Sequence, residues 1–209
     1  MDEPSSADRP KRRKEEILDV ATSLFAEHGY DGASMNDVAE RVGMRKASLF
    51  YHFATKDALY EAVLDGLVER LSTPLSAVYG AAGSFVERLD TAVDALASAI
   101  GHSRFAARLL IREAMDWGPI IRGKLLDKLL LTLEESTAFV RAGQEANAFV
   151  EGDARHLVLT AVGAHFLPFA LGQVVERYTG SDPFDPSFVL TRRQELRVQV
   201  RNMFVRSGP

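Results

Sequence analysis

Apolar residues along almost the whole chain recur at intervals of three and four, the period of a helix with one buried face. No stretch alternates apolar and polar residues as a half-buried strand would, so the spacing predicts an all-α fold. The first helix is expected from about Lys11 to His28, with Ile17, Val20, Ala21, Leu24 and Phe25 on one face and Gly29 at its left-handed end. Ser34 can cap a second, which turns Val38, Ala39 and Val42 inward and stops at Gly43. A third covers roughly Arg45 to Phe53, and Thr55 caps a fourth that runs through Leu59, Val63, Leu67 and Leu71 to Pro74. Tyr79 to Ser84 reads as a loop, and Ser84 to about Ile100 as an amphipathic helix. Ser103 can cap a helix reaching Trp117, which Gly118-Pro119 breaks; the next extends to about Gly143 through Leu125, Leu129, Leu133 and Phe139. Two more are expected, from Asp153 to about Tyr178 and from Pro186, behind the cap Asp185, to about Arg206.

Composition narrows the setting. The chain has no Cys, which excludes a disulfide framework, a thiolate nucleophile, a Cys-based zinc site and an iron–sulfur cluster, and makes an intracellular, cytoplasmic protein the expectation. Residues 1–16 lack the apolar core of a secretory signal and contain too many acids for a transit peptide. The net charge of −4 speaks against indiscriminate coating of nucleic acid. Between Arg9 and Lys56, however, nine Lys or Arg residues stand against seven Asp or Glu, a balance of +2 that leaves −6 on the remainder. A basic beginning on an acidic body suggests two tasks, one of them involving phosphates. Leu157 to Val175 holds no charged residue and has nearly the length of a membrane span, about 20 residues. His165, Pro168 and Gln173 interrupt it, and a buried central helix explains the same composition, so no membrane is expected. The five His residues lack paired metal spacing, and neither a phosphate-binding glycine pattern nor a nucleophile-elbow Ser occurs. No enzyme activity, cofactor or metal is therefore expected.

The segment Ser34 to Phe53 has the residue types that two short helices crossing steeply require. Ala39 is small where the second element comes close, Gly43 supplies the turn, and Met44, Val38, Val42 and Leu49 close a small core. Arg45, Lys46, Ala47 and Ser48 are left at the amino end of the third helix, the part that enters a major groove in helix-turn-helix proteins. Arg45 and Lys46 can donate to guanine edges or phosphates, and Ala47 permits close approach or a thymine-methyl contact.

Several runs in this region carry a longer resemblance. Leu24-Phe25-Ala26-Glu27-His28-Gly29-Tyr30, Ser34-Met35-Asn36-Asp37-Val38-Ala39, Gly43-Met44 and Leu49 through Leu59 resemble, in order and spacing over about Glu15 to Val63, the DNA-binding domain of the TetR (tetracycline repressor) family. The resemblance implies a helix-turn-helix domain at 11–57, a larger helical ligand-binding and dimerisation domain at 58–206, and a flexible tail at 1–10. By position, Ser34, Met35 and Asn36 would open the second helix where its free amides hold a phosphate, and Asn36 would reach a base. Lys46 and Ser48 match base-facing positions, and Tyr51 and Lys56 backbone-facing ones. Phe50 stands where the family very often has Tyr, so Tyr51 would supply the missing phenol. The basic run Lys11 to Lys14 is expected to add backbone contacts, and His52 and Phe53 to pack between helices.

The same resemblance implies that the body binds a small molecule and forms a homodimer, so that ligand binding releases a repressor from a palindromic DNA operator. Beyond about Leu75 no detailed motif matches, and residues are assigned by chemistry alone. Phe105, Leu109, Met115, Trp117, Phe139, Phe166 and Phe169 would line an apolar cavity, with Arg112 and His165 as its polar groups. Arg104, Arg108 and Arg112 form a helical stripe, either a solvated face or a grip on an anionic ligand. Val189, Leu196 and Met203 repeat every seven residues, with Val200 and Phe204 beside them, and small Ala161 and Ala164 allow close helix approach. These seven are the expected dimer contacts, though packing within one chain could use the same faces. A regulator without a ligand, or a helical enzyme or carrier with a vestigial helix-turn-helix, are the alternatives.

Overall fold

The computed structural model describes residues 8–101, 105–116, 123 and 125–206. The chain divides into two compact units, Met1–Leu67 and Val68–Pro209, called here the head and the body. Among the described residues the fold is all-α, with no strand and one isolated antiparallel bridge between Phe149 and Val205.

The head contains α1 (Asp8–Gly32), α2 (Met35–Val42), α3 (Lys46–His52) and the first half of α4 (Lys56–Tyr79). Gly29 interrupts α1 with φ 75°, a conformation that favours glycine, which is why the regular part ends at His28 as expected. Ser34 and Asp37 form a capping box on α2: the Ser34 hydroxyl accepts from the Asp37 amide while the Asp37 carboxylate accepts from the Ser34 amide. Gly43 closes the other end in the left-handed region, its amide bonded to carbonyls of α2. Thr55 Oγ1 accepts from the Ala58 amide and starts α4. The core of the head holds Ile17, Leu24, Phe25, Val38, Leu49, Leu59 and Tyr60, and the rings of Phe25, Tyr30 and Tyr60 pack on one another at 4.7–6.3 Å between centroids.

Pro74 does not end the fourth helix as expected. It lies inside α4, which continues to Tyr79. A proline there removes one backbone bond, at a cost of about 3 kcal/mol. Leu75, Val78 and Tyr79 beyond it pack into the body's core, and that burial outweighs the loss.

The body continues with α5 (Phe85–Gly101), α6 (Ala106–Asp116), α7 (Leu126–Glu145), α8 (Ala154–Ala170), α9 (Gly172–Thr179) and α10 (Pro186–Phe204). A second capping box, Ser84 with Glu87, opens α5, and the Asp153 carboxylate caps α8. Asp185 occupies the cap position of α10, with Pro186 following, but its side chain makes no cap bond. The expected cap at Ser103 and the break at Gly118-Pro119 lie outside the described residues.

The single helix expected from Asp153 to Tyr178 is two helices meeting at 80° around Leu171. Gly172, just past the break, lies beside Pro183 and Phe184 at a distance that leaves room for a Cβ in ordinary contact. Pro168, inside α8, has no amide to give the carbonyl of Ala164; Arg192 of α10 donates to that carbonyl instead, at 2.9 Å. Among the described residues no single helix is long and apolar enough to cross a membrane. α10 runs against α5 with Arg201 bonded to Asp90, and Arg197 and Arg193 paired with Asp94, an antiparallel ladder of matched charges.

Candidate nucleic-acid interface and effector cavity

α3 is seven residues long and buries only Leu49. Everything else that an outward-facing helix needs is at its surface: Arg45, Lys46, Ala47 and Ser48 are exposed, Phe50 is 39% exposed and Tyr51 88%. Arg45 stands at the cap position and makes no side-chain cap bond to the first turn of α3. Lys46 Nζ lies 5.8 Å from the centre of the Phe50 ring one turn on, and Tyr51 meets the edge of His52. This is a helix held by one buried leucine and presenting cations, a small residue and two aromatics.

The turn after α3 places Lys56 with its ammonium 4.3 Å from the centre of the Tyr30 ring. Tyr30 in turn donates to Asp57, and this bond, then burial and the charges of Asp57 and Asp31, push its phenol up to about 12. Lys56 is thus steered by a ring that Asp57 holds in place. Of the basic run, Arg12 and Lys14 are exposed, Lys14 lies 5.9 Å from the centre of the Phe53 ring, and Arg13 bonds Glu16 and the Val42 carbonyl. The Lys11 side chain lies outside the described residues.

Two expectations at α2 need correction. Met35 is only 8% exposed and belongs to the core of the head, because it is the first residue of the helix face that also carries Val38, Ala39 and Val42. The Ser34 hydroxyl is engaged with Asp37, whose carboxylate is held below its usual range by the Ser34 side chain and amide. A negative charge therefore already complements the positive end of α2. Asn36 remains exposed beside it.

In the body the residues expected to line one cavity are divided between two separate spaces. An inner one of about 60 Å³ is walled by α4, α5, α7, α8 and α10 and includes Phe139 and His165. An outer cleft of about 440 Å³ at the α8–α9 bend includes Phe105, Phe169 and Arg108. Leu109 lines neither and is buried in helix packing, and Phe166 is partly buried against the core cluster around Leu96 and Ile100. Arg112 is half-buried, with one guanidinium nitrogen lacking a partner. Met115 is 80% exposed, since it falls on the outer side of the short α6, and Trp117 and Arg104 lie outside the described residues.

The heptad stripe of α10 is absorbed by the chain itself. Leu196, Val200 and Phe204 are buried and Met203 packs beside them in a core with Leu89, Val93, Phe139 and Phe149, while Val189 packs against Gly101 and its neighbours. Ala161 and Ala164 also pack against that core. Exposed apolar residues lie on other faces: Leu130 and Leu131 on α7, Leu159 and Leu167 on α8, Leu171 at the bend, Val174 and Tyr178 on α9, and Leu190 and Val198 on α10.

Residues 17–63 match the sequence profile described as bacterial regulatory proteins of the tetR family. RutR, an HTH-type transcriptional regulator of Escherichia coli (strain K12), is 27% identical over 184 residues, covering 84% of this chain and 82% of RutR. Residues 17–63 therefore carry a TetR-type DNA-binding segment. The head is 50% identical over 48 residues to IcaR of Staphylococcus aureus (strain Newman), the HTH-type negative transcriptional regulator of the biofilm operon icaADBC. That match spans only 26% of IcaR and 23% of this chain. Among solved structures, the ketosteroid transcriptional regulator KstR2 of Mycobacterium tuberculosis superposes with a TM-score of 0.77 at 20% identity, over 93% of this chain and 96% of KstR2. A Clostridium perfringens putative fatty acid metabolism regulator gives 0.75 at 17% identity, over 92% and 100%. At these identities the structural likeness establishes a shared TetR fold through the body as well as the head.

Proposed function

We propose that the chain is a homodimeric, sequence-specific transcriptional regulator that works in the cytoplasm, a repressor released from a palindromic operator by a small, mainly apolar effector. The observation that carries this reading is α3: a short helix with one buried residue and Arg45, Lys46, Ala47, Ser48, Phe50 and Tyr51 at its surface. Lys46 and Ala47 are the base-reading residues, Lys46 by donation to a guanine edge and Ala47 by admitting a thymine methyl. Tyr51, Lys56 and Arg12 contact phosphates and fix the register. The similarity of the head to a negative regulator supports repression.

A second copy of the chain covers the exposed apolar residues of α8, α9 and α10. Leu159, Leu167, Val174, Leu190 and Val198 form the contact, in place of the stripe now buried. Two heads per dimer then read half-sites one helical turn apart, about 34 Å. The effector acts by preferring a dimer state whose head spacing no longer fits two successive grooves.

Selection from a random DNA duplex library, followed by binding of the enriched site at several salt concentrations, tests the reading. A palindrome bound by a dimer is expected. Weak binding without any enriched motif, abolished by moderate salt, would show a generic phosphate contact and sink it.

A further inference from the structure

A helix turns about 100° per residue, and the one buried side chain of α3, Leu49, fixes which way is in. Ala47 then lies about 160° round the helix from Leu49, at the middle of the outward face, with Tyr51 about 40° to one side of it and Phe50 about 60° to the other. The exposures follow that order: Tyr51 is 88% exposed and Phe50, nearer the core, 39%. Lys46 precedes Phe50 by one turn on the same side, and its ammonium lies over the ring, 5.8 Å from the centre. The two side chains form one unit, a charge above an aromatic face. Base pairs stack about 3.4 Å apart, so a groove that brings Lys46 to a base brings the Phe50 ring within one or two base pairs of it.

A phenyl ring in that position can do few things. It has no N–H, O–H or oxygen, so it neither bonds a phosphate nor reads the donor and acceptor pattern of a base edge. The apolar group that the major groove presents is the C5-methyl of thymine, and burying that methyl against the ring takes apolar surface of both out of water. A lone half-exposed apolar residue is ordinary on a protein surface. This one shares its face with exposed Lys46 and Ala47 on a helix that buries a single residue.

We propose that Phe50 determines specificity: its ring takes the methyl of a thymine one or two base pairs from the guanine that Lys46 bonds, so that the pair reads a guanine and a thymine together in each half-site. Lys46 supplies the hydrogen bonds, and Phe50 discriminates against cytosine, which has no methyl. The methyl admitted by Ala47, further round the helix, belongs to another position. This deepens the regulator reading given above and rests on it.

The test uses the full-length chain and the operator enriched from the random library, resynthesised with each thymine in turn replaced by deoxyuridine. That change removes the methyl and leaves every hydrogen-bonding group of the base in place. Affinity is read by fluorescence anisotropy at constant salt. One thymine per half-site, within two base pairs of the guanine whose preference Lys46→Ala relaxes, should lose about fourfold on substitution, the worth of one buried methyl at about 0.8 kcal/mol, and about fifteenfold when both half-sites are changed. In Phe50→Ala that loss should vanish, in Phe50→Leu part of it should remain, and in Ala47→Gly it should persist in full. An operator with no thymine there, equal binding of thymine and deoxyuridine at that place, or a loss that survives Phe50→Ala or disappears in Ala47→Gly overturns the proposal. Should Phe50→Ala fail to fold, the wild-type, Phe50→Leu and Ala47→Gly comparisons decide. An enriched palindrome indifferent to the methyl counts against this proposal alone, whereas the absence of any enriched site removes the regulator reading and this assignment with it.

Discussion

The head and the body treat their polar groups differently. In the head most partners are found within a few residues, Ser34 with Asp37 and Thr55 with the Ala58 amide, while Tyr30 reaches Asp57 across α2 and α3. In the body, helices from distant parts of the chain meet, and polar atoms are left over. Among the described residues, every buried side-chain nitrogen or oxygen without a hydrogen-bond partner lies there, on Arg88, Asp94, Arg112, His165, Arg192 and Arg197. Asp94 at least keeps an ion pair with Arg193 through that same oxygen, at 3.6 Å. The difference matches the two tasks. A reading surface has to present one geometry repeatedly, which local satisfaction secures. Under the proposed sensing role the body has to hold a second arrangement within a few kcal/mol, and buried groups without a partner are where such an arrangement gains bonds.

The largest effect expected of any change that tests this contrast is in the head's own packing. Phe25→Ala removes a buried ring that contacts Tyr30 and Tyr60, and should cost about 3–5 kcal/mol in urea denaturation. A loss below about 1 kcal/mol would mean that Phe25 is not held in a tightly packed core. Next come the reading residues. Lys46→Ala should weaken the selected operator by about 1–3 kcal/mol and relax the sequence preference at one position. Lys56→Ala should weaken all duplexes alike and reduce the salt slope by about one, so equal losses on specific and random DNA for both variants would remove the division of labour.

The body's unsatisfied histidine gives a smaller, pH-dependent effect. Burial, more strongly than the opposing Ala161 and Val93 carbonyls, holds the His165 pKa below its usual 6.5 in the folded chain. The unfolded chain therefore binds a proton that the folded one refuses, and stability falls as pH drops below about 6.5, levelling off only below the folded value. The slope from this one group is at most about 1.4 kcal/mol per pH unit. Denaturation of wild type and His165→Phe at pH values on either side should show a steeper acid loss in the wild type; parallel curves would place a charged ring in the core. Smallest is Ser34→Ala, about 1 kcal/mol for the lost cap on α2, visible as a lower Tm.

What could be read from the residues also divides along this line. The head's helices, caps and turn follow from local signals such as Ser34, Gly43 and Thr55, each acting within a few positions. The misplaced residue there, Met35, fails because position in a motif does not say which way the first turn of α2 faces. In the body the apolar period continues unbroken through Leu171, so the bend there leaves no mark in the spacing of apolar residues. Pro74 and Pro168 mislead in the same way, since each sits within a helix that tertiary burial carries past it. The stripe on α10 showed that a face is buried and not by whom. The deciding signal was charge: Asp90 and Asp94 four apart, opposite Arg193, Arg197 and Arg201 at the same interval, specify α5 as the partner of α10.

The bond from Arg192 to the Ala164 carbonyl exists because Pro168 left that carbonyl without a donor. The two positions are then linked by one bond across two helices. A relative with any other residue at the proline would regain the backbone bond and be free to lose the arginine, whereas a relative that keeps the proline has to keep a long donor on α10. Pro168 and Arg192 should come and go together as the family diverges.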